Sequence, residues 1–165
     1  MEVEAKRGWS ASPSAAASGP VSHAIARVAL LHRQHARQLL RQIGLYPGQE
    51  LMMMHLWDSG PQRQSDLATV FDTDSASMTR SVQRLERAGF VRRRPDPTDR
   101  RATLVEPTTA SNGLRERVER MWAALEALTV ANLTPEQHDH LLAGLHQVET
   151  SLTGKTERTP RNSEG

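Results

Sequence analysis

Residues 65–105 read SDLATVFDTDSASMTRSVQRLERAGFVRRRPDPTDRRATLV, and three changes of pattern inside this stretch decide the fold. A short apolar face, Leu67, Ala68 and Phe71, predicts a helix over residues 65–70. The polar turn Asp72-Thr73-Asp74 follows, and Asp74 suits the cap of a helix beginning at Ser75, where a carboxylate accepts from the unpaired N–H groups of the first turn. Met78, Val82 and Leu85, spaced i, i+4 and i+7, give this second helix one buried face, and Ala88-Gly89 ends it. Its opposite face carries Ser75, Ser77, Thr79, Arg80, Gln83 and Arg84. Beyond Gly89 the period shifts to short strands, 90–94 and 101–105, joined by a Pro- and Asp-rich loop at 95–100, and Pro107 ends the second strand.

Upstream, Ile25, Val28, Ala29, Ala36, Leu39, Leu40 and Ile43 recur at helical steps across residues 21–43, and Gly44 offers a left-handed end. Pro47 suits the first turn of a second helix carrying Leu51, Met52, Met54, Leu56 and Trp57 up to Ser59-Gly60-Pro61; so apolar a segment is expected to be buried on most sides. Met52-Met53-Met54 reads as core filler. Downstream, a helix over residues 109–132 places Leu114, Val118, Met121, Leu125 and Leu128 at heptad steps, a seam suited to another helix. Thr134-Pro135-Glu136-Gln137 is a capping box that opens a last helix, in which Leu141, Leu145, Val148 and Leu152 repeat those steps.

The expected fold is mainly α with a small β-hairpin wing: a winged helix-turn-helix with a helical dimerisation region made of N- and C-terminal helices. The segments are a disordered leader at 1–20, a dimerisation helix at 21–46, a DNA-binding lobe at 47–107, dimerisation helices at 108–153 and a disordered tail at 154–165. The leader lacks the apolar core of a signal peptide, and no stretch approaches the ~20 apolar residues of a membrane span, so a cytoplasmic protein without membrane contact is expected. The 165 residues include no cysteine, which excludes disulfides, thiolate metal sites and cysteine nucleophiles.

Charge is unevenly spread. The chain carries +2, yet residues 80–101 hold eight arginines against three acids, a local balance of +5. Such a run is by default a solvated face, but here it spans a polar-faced helix and the hairpin behind it. The second helix of such a pair fits a major groove about 12 Å wide while the hairpin reaches the backbone or the adjacent minor groove. Ser75, Ser77 and Thr79 offer hydroxyls near a helix N-terminus that favours phosphate, and Arg80 and Arg84 stand one turn apart on one face. Arg84 and Arg87 equally suit surface ion pairs with acids near Glu86.

Asp66-Leu67-Ala68, Ser77-Met78-Thr79-Arg80, residues 85–91 and above all Asp96-Pro97-Thr98-Asp99-Arg100-Arg101 resemble the winged helix-turn-helix of the MarR family of bacterial regulators. Gly44-Leu45-Tyr46-Pro47-Gly48-Gln49 is similar to that family's linker into its second helix, and the resemblance runs over roughly residues 21–152. It implies a homodimeric repressor whose terminal helices interlock and which reads pseudo-palindromic double-stranded DNA with half-sites roughly one helical turn apart. It also implies that a wing arginine, Arg101 or Arg100, enters the minor groove with Asp99 as its orienting partner, and Arg94 joins the DNA-binding set. Arg63 departs from the Ser or Thr that often caps the third helix of the family, and Ser81 from a commonly apolar position.

The resemblance further implies release by a small aromatic or anionic effector, for which His32, His35, His55 and Trp57 are the candidate residues; the histidines equally suit hydrogen bonds across a dimer interface. No cofactor is expected. The seven histidines form no ligand set by spacing, since His138 and His140 point about 200° apart on a helix. No nucleophile elbow, phosphate loop or metalloprotease motif is present, and Asp96 and Asp99 lie on a loop tip where no pocket is expected to shift their ionisation, so an enzyme is not expected. The alternative is a helical protein-interaction module that does not bind DNA.

Overall fold

The computed structural model describes residues 13–156. Six helices and three short strands follow in order: α1 (Pro20–Gln42), α2 (Gln49–Ser59), β1 (Gln62–Arg63), α3 (Gln64–Val70), α4 (Ser75–Arg87), β2 (Val91–Pro95), β3 (Thr103–Pro107), α5 (Asn112–Thr129) and α6 (Pro135–Thr156). Of the expected leader and tail, most residues lie outside the described ones. The parts that are described depart from the expectation: residues 14–16 form a 3-10 turn, α1 begins at Pro20, and α6 continues past Gly154 to Thr156.

The helix-turn-helix forms for local reasons. Asp74 caps α4 through the Ser77 N–H, 2.8 Å from Oδ1. Gly44 and Gly89 end α1 and α4 with φ of 76° and 81°, which a side chain would strain. At both ends the reversal is sealed by the same pair of bonds: Leu45 N–H to Leu40 O and Gly44 N–H to Arg41 O in one, Phe90 N–H to Leu85 O and Gly89 N–H to Glu86 O in the other. Pro47 lies before α2 and not in its first turn, because Gly48 at φ 90° takes the N-cap.

The hairpin is joined by a third strand that sequence periodicity does not reveal. β1 pairs antiparallel with β3, which pairs with β2, giving the order β1-β3-β2 with Arg63 opposite Leu104 and Arg92 opposite Glu106. Both wing strands lie one or two residues later than expected, and Pro107 is the last residue of β3. The long helix expected from residue 109 starts as a 3-10 turn, Thr109–Ser111, before α5.

The core draws on Met52, Met53, Leu56, Leu67, Met78, Val82, Leu85, Val91 and Val105, together with Leu40 and Leu45. Within α1 only the C-terminal part joins it, through Leu40 with Ala36, Leu39 and Ile43 against it, whereas Val21, Ile25, Val28 and Leu31 are exposed. Helix α2 is buried on most sides as expected, with Leu51 the apolar residue left exposed. The heptad seam of α5 also differs from expectation: Leu114, Val118, Met121 and Leu125 are buried in this same core, and only Leu128 is exposed. Contacts divide the chain into one unit ending at Leu125 and another beginning at Glu126. In the second, the capping box forms with both bonds, Thr134 N–H to Gln137 Oε1 at 2.9 Å and Gln137 N–H to Thr134 Oγ1 at 3.2 Å.

Candidate nucleic-acid interface

Helix α4 turns Met78, Val82 and Leu85 into the core, which leaves the face bearing Ser75, Arg80 and Arg84 outward. Near its N-terminus the groups are already organised. Asp74 accepts both the N–H and the hydroxyl of Ser77, which hold its carboxyl below the ordinary range, and Arg80 Nη2 donates to Ser77 Oγ at 2.8 Å. Thr79 is less free than its position in the sequence suggests: its hydroxyl donates to Ser75 O at 2.8 Å and accepts from Gln64 Nε2 at 2.9 Å. Gln83 is half-buried. Arg84 lies over the exposed ring of Tyr46, 4.5 Å from its centroid, a cation–π contact between α4 and the segment that leads into α2.

The arginines of the wing divide into two groups. Arg92 and Arg94 both pair with Glu106, the latter through Nε at 3.0 Å, and Arg93 pairs with Glu86 at 2.7 Å. Neither Arg84 nor Arg87 forms an ion pair with Glu86. Glu106 faces Arg92 across the ladder and Arg94 diagonally, and these two guanidinia, Arg94 first, hold its carboxyl below the ordinary range. The candidate Arg94 is therefore committed within the fold. Arg100 and Arg101 are exposed and form no ion pair with a described residue. Asp99 does hold Arg101, but through the backbone: Oδ1 accepts the Arg101 N–H at 3.0 Å.

Asp96 corrects the expectation of an unperturbed loop tip. Its side chain is nearly buried, Oδ1 accepts the N–H and hydroxyl of Thr98 at 2.8 Å each, and Oδ2 accepts from Arg63 Nε at 2.7 Å. Those bonds, the Thr98 N–H first, lower its carboxyl to about 2. Sequence reasoning missed Arg63 as a partner; the signal available was an arginine where a capping hydroxyl is usual. Arg63 is the N-cap residue of α3 and makes no side-chain cap bond. Ser81, the other departure, is half-buried and its carbonyl accepts from Gln49 Nε2 at 3.4 Å.

One groove of about 530 Å3 runs between α3, the start of α4 and the wing, lined by Ser75, Met78, Asp99, Arg101 and Thr103. It brings together candidates from the helix and the loop. The effector candidates do not converge. Trp57 lines a separate cleft of about 300 Å3 with Met54, Asp58, Arg115, Val118 and Trp122, and its Nε1 donates to Ser111 Oγ at 2.9 Å. His55 packs edge-on against Phe71 with centroids 5.9 Å apart, and His32 and His35 lie on α1 away from that cleft's lining. Among the described residues no cluster of three His, Asp or Glu side chains could hold a metal, and no helix is long and apolar enough to cross a membrane.

Residues 45–103 match the MarR family. The chain is 36% identical over 85 residues to the HTH-type transcriptional regulator YcgE of Bacillus subtilis (strain 168), covering 52% of this chain and 53% of that protein, so it spans about half the length of that relative. Among solved structures, a mutant MarR from E. coli complexed with operator DNA superposes with a TM-score of 0.72 at 23% identity, covering 83% of this chain and 99% of that one. Bordetella bronchiseptica BpsR, whose DNA binding is regulated by 6-hydroxynicotinic acid, superposes with a TM-score of 0.69 at 22% identity over 81% of this chain and 95% of that one. At such identities the superpositions speak for the winged helix-turn-helix fold.

Proposed function

From a chain whose residues 45–103 match the MarR family, we infer a homodimeric transcriptional repressor that binds pseudo-palindromic operator DNA. Helix α4 enters the major groove, with Ser75, Ser77, Arg80, Gln83 and Arg84 toward bases and phosphates, while Arg100 and Arg101 on the wing reach the adjacent backbone or minor groove. The observation that carries this reading is the division among the arginines: the three on β2 are ion-paired with Glu86 and Glu106, and the exposed cations without an ion pair sit on the outer face of α4 and at the wing tip, where Arg101 shares a groove with Ser75.

Dimerisation is supported by apolar residues left exposed on α1 and α6, among them Val28, Leu31, Leu141 and Leu145. Helix α1 bears four arginines and no acid, whereas α6 bears Glu136, Asp139 and Glu149, so the two are of opposite charge. Of an aromatic or anionic effector, the cleft between Trp57 and Trp122 supports the aromatic one: its Arg115, 5.8 Å from the Trp57 ring centroid, is already paired with Asp58 at 3.7 Å and Glu119 at 3.3 Å, both in the same lining.

Gel-shift titration on the chain's own promoter region, with salt raised from about 50 to 200 mM, tests the reading, because phosphate contacts make affinity fall steeply over that range. Arg101→Ala is expected to weaken binding to every duplex and flatten the salt dependence; Arg80→Ala is expected to cost about 1–3 kcal/mol and relax preference at one base position. Wild-type titration curves for both variants would overturn the assignment.

A further inference from the structure

We propose that Arg63 is a positioning residue for DNA binding, fixing where the wing tip stands relative to the recognition helix; this rests on the reading of Arg100 and Arg101 as DNA contacts. Arg63 is the last residue of β1 and the N-cap of α3, so its backbone is held by Leu104 on one side and by the first turn of a helix on the other. From that anchored point its guanidinium spans to the loop after β2, where Nε donates to Asp96 Oδ2 at 2.7 Å and Nη2 to Thr98 Oγ1 at 3.3 Å. Asp96 in turn braces the loop from within, taking the N–H and hydroxyl of Thr98 while its own N–H donates to Ala102 O at 3.0 Å. A continuous line of bonds thus runs from the start of α3 to the segment that carries Arg100 and Arg101.

The neighbouring residue completes the arrangement. Gln64 Nε2 donates to Thr79 Oγ1 on α4 at 2.9 Å, so adjacent residues tie the wing loop and the recognition helix to one place on the backbone. Without the Arg63 side chain the loop keeps the β2–β3 ladder and the bonds Asp96 makes within it, but loses the side-chain tie that fixes it to the start of α3, so the tip of the projection is freer to bend about its root. A lysine would not replace it, since a single ammonium lacks the planar fork that engages a carboxylate and a hydroxyl together.

The test uses the full chain with two readouts. Amide hydrogen exchange on the DNA-free protein follows Arg101 and Ala102, whose N–H groups donate to Asp99. Duplex affinity is measured in a double-mutant cycle between Arg63→Ala and Arg101→Ala. Expected in Arg63→Ala are faster exchange at the wing with unchanged protection in α2, and affinity weakened about two- to fivefold, as for a partly exposed ion pair. That loss should shrink in the Arg101→Ala background, where only Arg100 is left at the wing tip to be positioned. Asp96→Asn, which leaves Arg63 in place, should loosen the wing in the same way and keeps the test available if Arg63→Ala does not fold. Unchanged wing exchange in both variants, or an equal loss of affinity with and without Arg101, overturns the proposal, as does full recovery of affinity in Arg63→Lys while the wing still exchanges fast. If instead the wing loosens and Arg101→Ala alone binds DNA like wild type, the positioning holds in the free protein and the role of the wing at DNA is what fails.

Discussion

Helices α5 and α6 carry the same pattern and meet opposite fates. Leu114, Val118, Met121 and Leu125 on α5 and Leu141, Leu145, Val148 and Leu152 on α6 advance by the same alternating steps of four and three. The first set is buried, but Leu141, Leu145 and Leu152 remain 44%, 49% and 65% exposed. The spacing states that a helix has an apolar stripe; what covers the stripe depends on segments distant in sequence. For α5 the cover comes from within the chain, from the core built around α2 and the sheet. For α6 a second copy of the chain is the cover proposed above.

The two stripes should therefore respond differently to the same kind of damage. Leu114→Ala removes buried methyl groups from a packed core and is expected to cost about 2–5 kcal/mol, seen as a lowered midpoint in chemical denaturation. A loss under 1 kcal/mol would mean that the α5 seam is not core. Leu145→Asp should instead act on association: a charge at the centre of a covered helix face is expected to weaken self-association by about 2 kcal/mol, measured by sedimentation equilibrium. An unchanged dimer would remove α6 from the interface, and a monomeric wild type would remove the interface itself.

The smallest effect refines the boundary between the two helices. His138 lies between Asp139, 3.0 Å from Nδ1, and Glu126, 3.2 Å from Nε2, and these carboxylates, Asp139 first, raise its ionisation above the ordinary imidazole range. A histidine raised in the folded state contributes fully below about pH 6.5, and the contribution fades as pH rises through the folded value. His138→Gln should lower the thermal midpoint slightly at about pH 6 and leave it unchanged at about pH 9. An equal effect at both values would assign the residue a packing role.

Much of the winged helix-turn-helix was legible because its signals are local. The Asp74 cap lies three residues from Ser77, the glycine ends follow their helices directly, and Met78, Val82 and Leu85 mark the buried face at adjacent turns. The electrostatics of the site were not legible, since they are set by pairs far apart in the chain. Arg63 meets Asp96, Arg84 meets Tyr46, and Glu106, which pairs with both Arg92 and Arg94, lies beyond the basic run in which those charges were counted. Strand β1 escaped notice for a related reason: two residues carry no period, and Gln62 and Arg63 are a strand only because β3 lies beside them.

The indoles of Trp57 and Trp122 share one cleft, and the Trp57 N–H is already engaged by the Ser111 hydroxyl. The chain's third tryptophan, Trp9, is remote in sequence from both. A compound entering that cleft alters the polarity around two of the three fluorophores at once, so ultraviolet emission of the unlabelled protein supplies a direct optical titration of binding there, with no DNA in the cuvette.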